Sequence, residues 1–413
     1  MVIRKEKVLS LKHNQYPSEF EQNIWRETER KYLVLDGTEF EQYKPRANRI
    51  TQIYLSHPED EYGLRVREIS AADGSVHYTA TIKDRGVMQP GGLSRMEIET
   101  PISEQAFRYY SSDERNPRIR KERAEVADGI TIDWIENHEK PIIEIEWRPT
   151  AHDTSTFLNL FSDKLQDRTG DICVDNEQLA YAGHTPDKRI AKESPTVEHI
   201  LHDLMTYRST GQKQLVIGIA GRSGSGKSTL ARELRQRIKN HPQLGEDSTV
   251  MSTDDYHKGR QYLESTYGAP WTNWDDARVY DTALMARDIA RYQRGETICA
   301  RELDFSTIES VLKGPLPHNN ILIIEGIHAG SCDLAPYRHM FYEVQTPLSV
   351  SLGRDLKRLL TSSRKESASM STPEERLRYM LEVGEPTYRT IERKQRNIFP
   401  ETVRPLGRHA LTF

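Results

Sequence analysis

The sequence predicts two fold classes in one chain, a many-stranded antiparallel sheet or barrel followed by an α/β domain with a parallel sheet. The first prediction rests on the segments up to about Trp147, where short alternating stretches are separated by polar or Gly/Pro-rich runs such as M-Q-P-G-G. The second rests on the change after Gln214, where an apolar strand, a glycine-rich turn and a helix begin a strand–helix alternation. A length of 413 residues also predicts roughly two or three domains.

Composition and charge favour a globular protein without a general affinity for nucleic acid or membranes. The 58 basic and 62 acidic residues leave a formal charge of −4, so any affinity for phosphate must come from local clusters. No apolar run approaches the roughly 18 residues that a membrane span needs. Cys173, Cys299 and Cys332 form no CxxC pair, which favours a reducing, cytoplasmic setting.

Charged residues recur on single faces of the strand-like segments. In W-R-E-T-E-R-K-Y-L-V-L, Glu27, Glu29 and Lys31 share one face because strand side chains alternate with period two. Later segments repeat the pattern of charged or polar residues opposite apolar ones. The further members are Arg65, Arg67, Thr79, Thr81, Lys83, Arg95, Glu97, Glu99, Lys121, Arg123, Asp133, Glu144 and Glu146. Each face taken alone is typical of a half-exposed strand that faces water.

A closed barrel gives the same faces a second interpretation. The acids and the bases stand in separate, compact sets, and burying such charges unpaired would cost too much free energy. They become tolerable if the barrel is a wet tunnel that holds a polyanion together with a divalent cation. Arginine and lysine would then grip phosphate oxygens, and the carboxylates would hold Mg²⁺ or Mn²⁺.

E-T-E-R-K and the ordered set that follows it resemble the CYTH domain, also called the triphosphate tunnel metalloenzymes, over nearly all of residues 20–183. D-R-T-G-D-I-C-V-D-N-E-Q-L-A is similar to the C-terminal segment of that family. The resemblance implies an α+β fold built on an antiparallel eight-stranded tunnel barrel, and metal-assisted hydrolysis of a triphosphate. The implied metal ligands are Glu27, Glu29 (also implied as catalytic), Asp133, Glu144 and Glu146, and the implied triphosphate ligands are Lys31, Arg65, Arg67, Lys83, Arg95 and Arg123. Family members include inorganic triphosphatases, thiamine triphosphatases and adenylate cyclases, and these strands do not say which.

A glycine-rich loop marks the start of the second domain. G-R-S-G-S-G-K-S lies between the strand-like L-V-I-G-I-A and the helix-like T-L-A-R-E-L-R-Q, which is the context that a Walker A phosphate loop requires. Backbone amides and the helix N-terminus would cradle phosphates, Lys227 would reach the β- and γ-phosphates, and Ser228 would bind Mg²⁺. The predicted nucleotide-binding residues are Gly221, Arg222, Ser223, Gly224, Ser225, Gly226, Lys227, Ser228, Thr229 and Arg354.

The segments beyond this loop resemble the uridine kinase and phosphoribulokinase family, whose domain is an α/β P-loop NTPase fold. The likeness is carried by M-S-T-D-D-Y-H-K-G, N-W-D-D-A-R-V-Y-D, L-D-F and I-L-I-I-E-G-I. It implies that Asp254 takes the proton from the substrate hydroxyl and that Glu325 is the acid of the Walker B-like strand. Lys227 would stabilise the charge on the phosphoryl group that is transferred.

Two features of that family are incomplete in this sequence. S-V-S-L-G-R-D-L-K-R keeps Arg354 and Asp355 but lacks an upstream arginine pair, for which Arg358 and Arg364 are candidate substitutes. R-K-Q-R-N-I-F-P-E-T-V-R-P-L-G contains no recognisable A-D-I-V-I-like strand, the element that helps hold the base of ATP. These departures leave the nucleoside substrate more open than the phosphate loop.

Simpler roles stay open for four residues of the second domain. Asp254 is alternatively a helix N-cap or an acid that contacts Mg²⁺ through water. Glu325 is alternatively a structural carboxylate at a strand end, and His257 a plain loop histidine. Arg354 is alternatively part of a solvated helix face.

The predicted domains are a CYTH tunnel at 20–183, a linker with a connecting helix at 184–212, and a P-loop uridine-kinase-like domain at 213–413. The linker is predicted from the polar run H-T-P-D-K-R-I-A-K-E-S-P-T with its two prolines. The connecting helix is predicted from the helical spacing of Val197, Ile200, Leu201 and Leu204.

The leading hypothesis is a bifunctional enzyme that hydrolyses a triphosphate in the tunnel and phosphorylates a small, uridine-like hydroxyl substrate in the P-loop domain. Its expected ligands are ATP, a triphosphate, the hydroxyl substrate and Mg²⁺ or Mn²⁺, and its oligomeric state is open. One alternative is a triphosphatase whose P-loop domain only binds nucleotide as a regulatory module. The other is a working kinase whose tunnel senses polyphosphate or nucleotide.

Overall fold

A computed structural model describes residues 26–146, 152–182, 195–211, 213–244, 247–361 and 372–398. The chain divides into two compact units, Met1–Lys188 and Arg189–Phe413. Most of the polar run that predicts the linker, residues 184–194, and the lid candidate Arg364 lie outside the described residues. No helix in the described ranges is both long enough and apolar enough to cross a membrane.

The first unit is built on a closed antiparallel barrel of eight strands, which confirms the predicted fold of this half. The strands follow the order β1-β9-β8-β7-β2-β3-β4-β6, and β6 pairs with β1 to complete the circle. Short strands β5 and β10 extend the sheet beside it. The strand bounds are β1 (Arg26–Val34), β2 (Asn48–Tyr54), β3 (Tyr62–Ser70), β4 (Val76–Asp84), β5 (Val87–Gln89), β6 (Gly92–Pro101), β7 (Arg118–Ala127), β8 (Ile130–Ile135), β9 (Ile142–Glu146) and β10 (Leu165–Asp167).

Apolar side chains occupy the outer face of the barrel wall, and helical segments cover them. Tyr32, Ile132 and Ile143 belong to one buried cluster with Phe40 and Phe157. These two phenylalanines come from the 3-10 helix Thr38–Arg46 and from helix α2 (His152–Leu160); helix α1 is Glu104–Ser111. Because strand side chains alternate, the charged residues between these apolar ones project to the interior.

Contacts between strands that are not neighbours show that the charged face is the inner one. The Lys83 ammonium on β4 lies 2.8 Å from the Glu27 carboxylate on β1, although these two strands do not pair with each other. Lys121 and Asp133 have side chains that are each only 1% exposed, as expected for groups inside the wall. The sequence-based expectation of inward acids and bases is therefore how the barrel is built.

One part of the inner wall is apolar and is covered from the C-terminal side of the unit. Ile119, Ile135 and Ile142 lie on the same strand faces as the inner charges and pack with Val174 and Ala180. Ala180 belongs to helix α3 (Asn176–Ala182). The wall of the barrel is thus charged along one stretch and closed by apolar packing along another.

The second unit contains a four-stranded parallel sheet with helices on both faces, which confirms the predicted α/β class. The order is β12-β15-β11-β16, with every pairing parallel. The strands are β11 (Leu215–Ala220), β12 (Ser248–Ser252), β15 (Ile321–Glu325) and β16 (Met340–Glu343), and β13 (Cys299–Asp304) pairs with β14 (Glu309–Pro315) as a separate hairpin. The helices are α4 (Val197–Ser209), α5 (Lys227–Asn240), α6 (Arg260–Tyr267), α7 (Thr282–Gln293), α8 (Leu348–Thr361), α9 (Pro373–Tyr379) and α10 (Glu385–Ile398).

Buried apolar residues lie on both faces of this sheet. Ile217 and Ile323 pack with residues of α5, and on the same side Ile200 and Leu204 of α4 join that cluster. Val216 and Ile324 pack on the opposite side with residues of α7. The helix predicted from the spacing of Val197, Ile200 and Leu204 therefore belongs to the core of the second unit.

The C-terminal part of the second unit is helical where the family resemblance leads one to look for a strand. The residues R-K-Q-R-N-I form the end of α10. A π-helical turn, Met380–Gly384, joins α9 to α10. Residues beyond 398 lie outside the described chain.

Candidate active sites

The charged interior of the barrel contains linked ion pairs rather than separated charges. Lys31 lies 3.2 Å from Glu144 and 3.8 Å from Glu29. Arg123 contacts the other oxygen of Glu144 and donates two hydrogen bonds of 2.6 Å to Asp133. Acids and bases of the predicted site thus neutralise one another across strands β1, β9, β7 and β8.

A second set of pairs lines the opposite strands. The Lys83 ammonium lies 2.7 Å from Glu97 and 2.8 Å from Glu27. Arg95 donates to Glu29, and Arg67 lies 3.8 Å from Glu99. The barrel therefore brings together the predicted acids and bases of the first half.

The pKa values follow from this crowding. Burial would raise the pKa of Asp133, but Arg123 and Lys121 hold it below its usual value. Burial likewise opposes ionisation of Glu144, and Arg123 and Lys31 nevertheless hold its pKa well below the usual range. Burial and the neighbouring Arg123 lower the pKa of Lys121 to about 7. Burial and Arg65 lower the pKa of Arg67 to about 10.

Several buried arginine atoms are ready for a further acceptor. The Nε atoms of Arg65, Arg67 and Arg95 are buried and have no hydrogen-bond partner among the described residues. A guanidinium whose N–H groups lack acceptors carries a cost that a phosphate oxygen would remove. The inner wall therefore fits an anion with several negative oxygens.

A divalent cation fits the acids less directly. Glu29 and Glu146 stand directly opposite each other on β1 and β9, a like-charge pair that a cation would relieve. Carboxylate oxygens are also the donors that Mg²⁺ and Mn²⁺ prefer. Within the described ranges, however, no three acids, histidines or cysteines form a ready-made cation site. The assignment of the five metal ligands therefore stays a prediction, because most of these carboxylates form ion pairs with lysine or arginine in the structure.

The phosphate loop of the second unit connects β11 to α5 with glycines in left-handed backbone conformations. Gly224 has φ +73° and Gly226 has φ +96°, values that residues with a side chain rarely adopt. A Cβ on Gly224 would lie 2.1 Å from the Ser351 carbonyl oxygen, so the loop also packs closely on α8. The N-terminus of α5 follows at once, with Lys227 as its first residue.

Two groups of the predicted phosphotransfer site, Ser228 and Glu325, are in contact at the end of this sheet. The Ser228 hydroxyl donates a 3.0 Å hydrogen bond to Glu325 at the end of β15. Burial raises the pKa of Glu325, with Lys227 opposing the shift and Asp254 adding to it. A hydroxyl beside a desolvated carboxylate is a donor set that suits Mg²⁺.

Asp254 begins the 3-10 turn Asp254–Tyr256 directly after β12. The N-cap of this turn is Thr253, and it makes no side-chain capping bond, so the alternative of Asp254 as a helix N-cap is wrong. His257 is buried rather than a plain loop histidine: its ring stacks on Trp274 at 5.9 Å, and burial lowers its pKa to about 4.

The side chain of Arg222 contacts other segments of the second unit. Its guanidinium donates to the Thr346 carbonyl at 3.0 Å and to Glu385 at 3.3 Å. Because the guanidinium is already engaged by these two acceptors, the nucleotide-binding prediction for Arg222 applies to its backbone amide. The other predicted loop residues, Gly221 to Thr229, lie together between β11 and the first turn of α5.

The lid arginines have distinct surroundings. An Arg354 Nη atom lies 4.0 Å from where a Cβ on Gly226 would stand, which places this side chain beside the phosphate loop. Arg358 instead pairs with Asp355. Arg376 pairs with the same Asp355 at 2.6 Å, a contact that the sequence reasoning missed because it depends on α9 folding back onto α8.

Asp275 is a buried acid in the stretch N-W-D-D-A-R-V-Y-D, and the sequence alone did not predict a role for it. The Tyr379 hydroxyl donates to it at 3.1 Å. Burial raises the pKa of Asp275 to about 6, and Arg376 opposes that shift. The two adjacent acids in that stretch were the available signal.

Comparisons with known proteins find similarity to each half separately. The model of the phosphoribulokinase / uridine kinase family matches residues 216–359. A uridine kinase from Tolumonas auensis is 30% identical over 150 residues, covering 35% of this chain and 67% of that protein. One from Clostridium perfringens is 33% identical over 120 residues, covering 28% and 53%. The chain spans about half the length of this uridine kinase and of the one from Leuconostoc citreum.

A structural likeness was found for the first half. HpAC1 from Hippeastrum, described with a dominant triphosphatase activity, covers 38% of this chain and 97% of its own. The identity is 12% and the TM-score is 0.29, and values this low carry no argument. The barrel is identified from the strand pairing of this chain alone.

Proposed function

The chain belongs to the phosphoribulokinase / uridine kinase family through residues 216–359, and from this premise we propose that it is a bifunctional phosphate-transfer enzyme. Its second unit would phosphorylate a small hydroxyl substrate with ATP. Its first unit would hydrolyse a triphosphate inside the barrel. The observation that carries the second activity is the hydrogen bond between Ser228 and Glu325 at the end of the sheet, where the charges of Lys227 and Asp254 also act on the pKa of Glu325.

The residues of the second unit fit an in-line transfer of the γ-phosphoryl group. Backbone amides of the loop and Lys227 would hold the β- and γ-phosphates. Ser228 and Glu325 would hold Mg²⁺, which supplies charge neutralisation on the transferred group when bound. Asp254 would accept the proton of the acceptor hydroxyl, and Arg354 beside the loop would contact the phosphates from the lid.

The first unit supports hydrolysis of a triphosphate by its inner wall. Arg65, Arg67 and Arg95 would replace their missing acceptors with phosphate oxygens, and Lys31, Lys83 and Arg123 would exchange carboxylate partners for phosphate. The carboxylates released in this way, with Glu29 and Glu146 facing each other, would hold the divalent cation. Ligand and cation would therefore separate charges that now neutralise one another.

Two assays on the full chain test the two activities. Tripolyphosphate with Mg²⁺ or Mn²⁺ should yield orthophosphate, and Glu29→Gln should abolish the release while Lys227→Met leaves it intact. Absence of release from any triphosphate tested would overturn the hydrolase. ATP-to-ADP conversion should depend on an added hydroxyl compound, beginning with uridine, and Asp254→Asn should abolish it.

A regulatory P-loop module is the second candidate, and the lid favours it. Val350 and Ser351 precede Arg354 where the family has an arginine pair, and Arg358 is held by Asp355. Tight binding of Mg·ATP without turnover on any of a panel of nucleosides and sugars would support this candidate against the kinase.

A further inference from the structure

A buried arginine, Arg222, connects the phosphate loop to the start of helix α10. Arg222 is only 8% exposed, although it is the second residue of a loop whose other members surround the phosphate site. Its guanidinium donates to Thr346 and Glu385, and it lies over the Tyr388 ring at 5.0 Å. Thr346 in turn donates to the Ser225 carbonyl at 2.9 Å, so two contacts fix the loop from the same side.

Glu385 is the anchor of this arrangement. It is the first residue of α10 and is 1% exposed. It accepts from Arg222 at 3.3 Å and from Arg389 at 2.6 Å, one turn further along the helix. The side chain of Arg389 is 48% exposed and that of Arg222 is 10% exposed, so the two partners differ in burial while sharing one carboxylate.

The same stretch of chain also contacts the buried Asp275. Tyr379 at the end of α9 donates to Asp275, and a Cβ on Gly384 would lie 3.2 Å from the Asp275 carboxylate. The π-helical turn Met380–Gly384 joins Tyr379 to Glu385. Such turns are rare in proteins overall, but those that occur are frequently found at functional sites. This turn brings the start of α10 against both the loop and Asp275.

We propose that Arg222 is a positioning residue of the nucleotide site, which fixes the phosphate loop against Glu385 at the start of α10. A guanidinium held by two acceptors and an aromatic face has a defined orientation, and a lysine in its place would lack that geometry. The backbone amides that cradle phosphates depend on the loop holding one conformation. The inference rests on the proposed nucleotide-binding function of this loop.

Positioning and simple electrostatics predict different results for substitutions at Glu385 and at its second partner, Arg389. If Arg222 and Glu385 act only through their charges, removing the acid in Glu385→Gln should strengthen the binding of an anionic nucleotide. Removing the base in Arg389→Gln should then weaken it. If they position the loop, Glu385→Gln should weaken binding and Arg389→Gln should leave it unchanged.

The experiment is calorimetric titration of Mg·ADP into the full chain and its variants, with thermal unfolding of each variant recorded without nucleotide. Glu385→Gln is expected to raise the Kd roughly tenfold, and Arg389→Gln to change it less than about twofold. Arg222→Lys, which keeps the charge, is expected to match Glu385→Gln. Equal or tighter binding by Glu385→Gln, or equal weakening by Arg389→Gln, would overturn the proposal.

Two further outcomes are decisive. If Glu385→Gln lacks a cooperative unfolding transition, Arg222→Lys alone decides, and an unchanged Kd in that variant overturns the proposal. If the wild-type chain does not bind Mg·ADP, the proposed function of the second unit fails, and the inference fails with it. Binding by wild type together with indifferent variants overturns only the inference.

Discussion

The barrel of the first unit draws its inner charged groups from the side chains of seven of its eight strands, whereas the second unit has the groups predicted to bind phosphate in one turn between β11 and α5. In the barrel, most of the inner bases are already paired with acids, as Lys31 with Glu144 and Lys83 with Glu97. In the loop, backbone amides and one helix N-terminus carry most of the expected binding, with Lys227 as the single loop base expected at the β- and γ-phosphates.

Because of this difference, the two sites are expected to respond differently to amino-acid substitution. The barrel is expected to bind a polyanion through many side chains. One substitution there should remove a small share of the affinity but disturb a buried charge network. The loop is expected to bind phosphate through few side chains. One substitution there should remove a large share of the nucleotide affinity with little effect on the core. The predictions below test this contrast in order of expected effect.

The largest effect is expected on the free energy of unfolding of the barrel. Asp133→Asn would leave the buried Lys121 without its acid and remove one of the two acid partners of Arg123, which should cost about 3–5 kcal/mol. The matched control is Glu104→Gln, because Glu104 pairs with Arg108 on the exposed surface of the same unit, and this substitution should change the free energy of unfolding far less. Urea unfolding measures both, and equal costs would contradict a buried network.

The next effect compares one base from each site. Lys227→Met should weaken Mg·ATP binding about a hundredfold, because no other loop side chain can replace its charge at the phosphates. Arg65→Gln should weaken tripolyphosphate binding only about tenfold, because the other inner bases remain. Titration calorimetry gives both constants. A larger loss from Arg65→Gln than from Lys227→Met would reverse the comparison.

The smallest effect is a pH dependence confined to the barrel. Burial and Arg123 lower the pKa of Lys121 to about 7, so the side chain loses its charge as the pH rises through that value. Tripolyphosphate affinity should therefore fall severalfold, on the order of threefold to tenfold, between about pH 6 and pH 8.5. Lys121→Met should bind more weakly at the lower pH and lose this dependence. A wild-type affinity that rises with pH would contradict the assignment.

The fold of both halves follows from local patterns that the sequence shows directly. Period-two alternation of Ile and Val with charged residues gave the barrel wall, and the strand–glycine–helix order gave the parallel sheet. The inward direction of the charges was expected from their grouping on single strand faces, and in the structure the acids and bases of those faces pair with one another. These features lie within a few residues of one another, which is why they are readable.

The missing parts depend on contacts between distant segments. The apolar stretch of the inner wall at Ile119 and Ile142 alternates in the same way as the charged part, and only the packing of α3 distinguishes it. The partner of Arg222 lies 163 residues away at the start of a helix that follows a π-helical turn. The roles of Asp275 and Arg376 depend likewise on where α9 folds.

The most direct test of the account is titration of tripolyphosphate, with and without Mg²⁺, into the full chain, an Arg65→Gln/Arg67→Gln double variant and Lys227→Met. The account predicts binding by wild type, strong loss in the double variant and no change in Lys227→Met, because the polyanion occupies the barrel. Binding that survives the double variant but disappears in Lys227→Met would place the polyanion on the phosphate loop and contradict the tunnel.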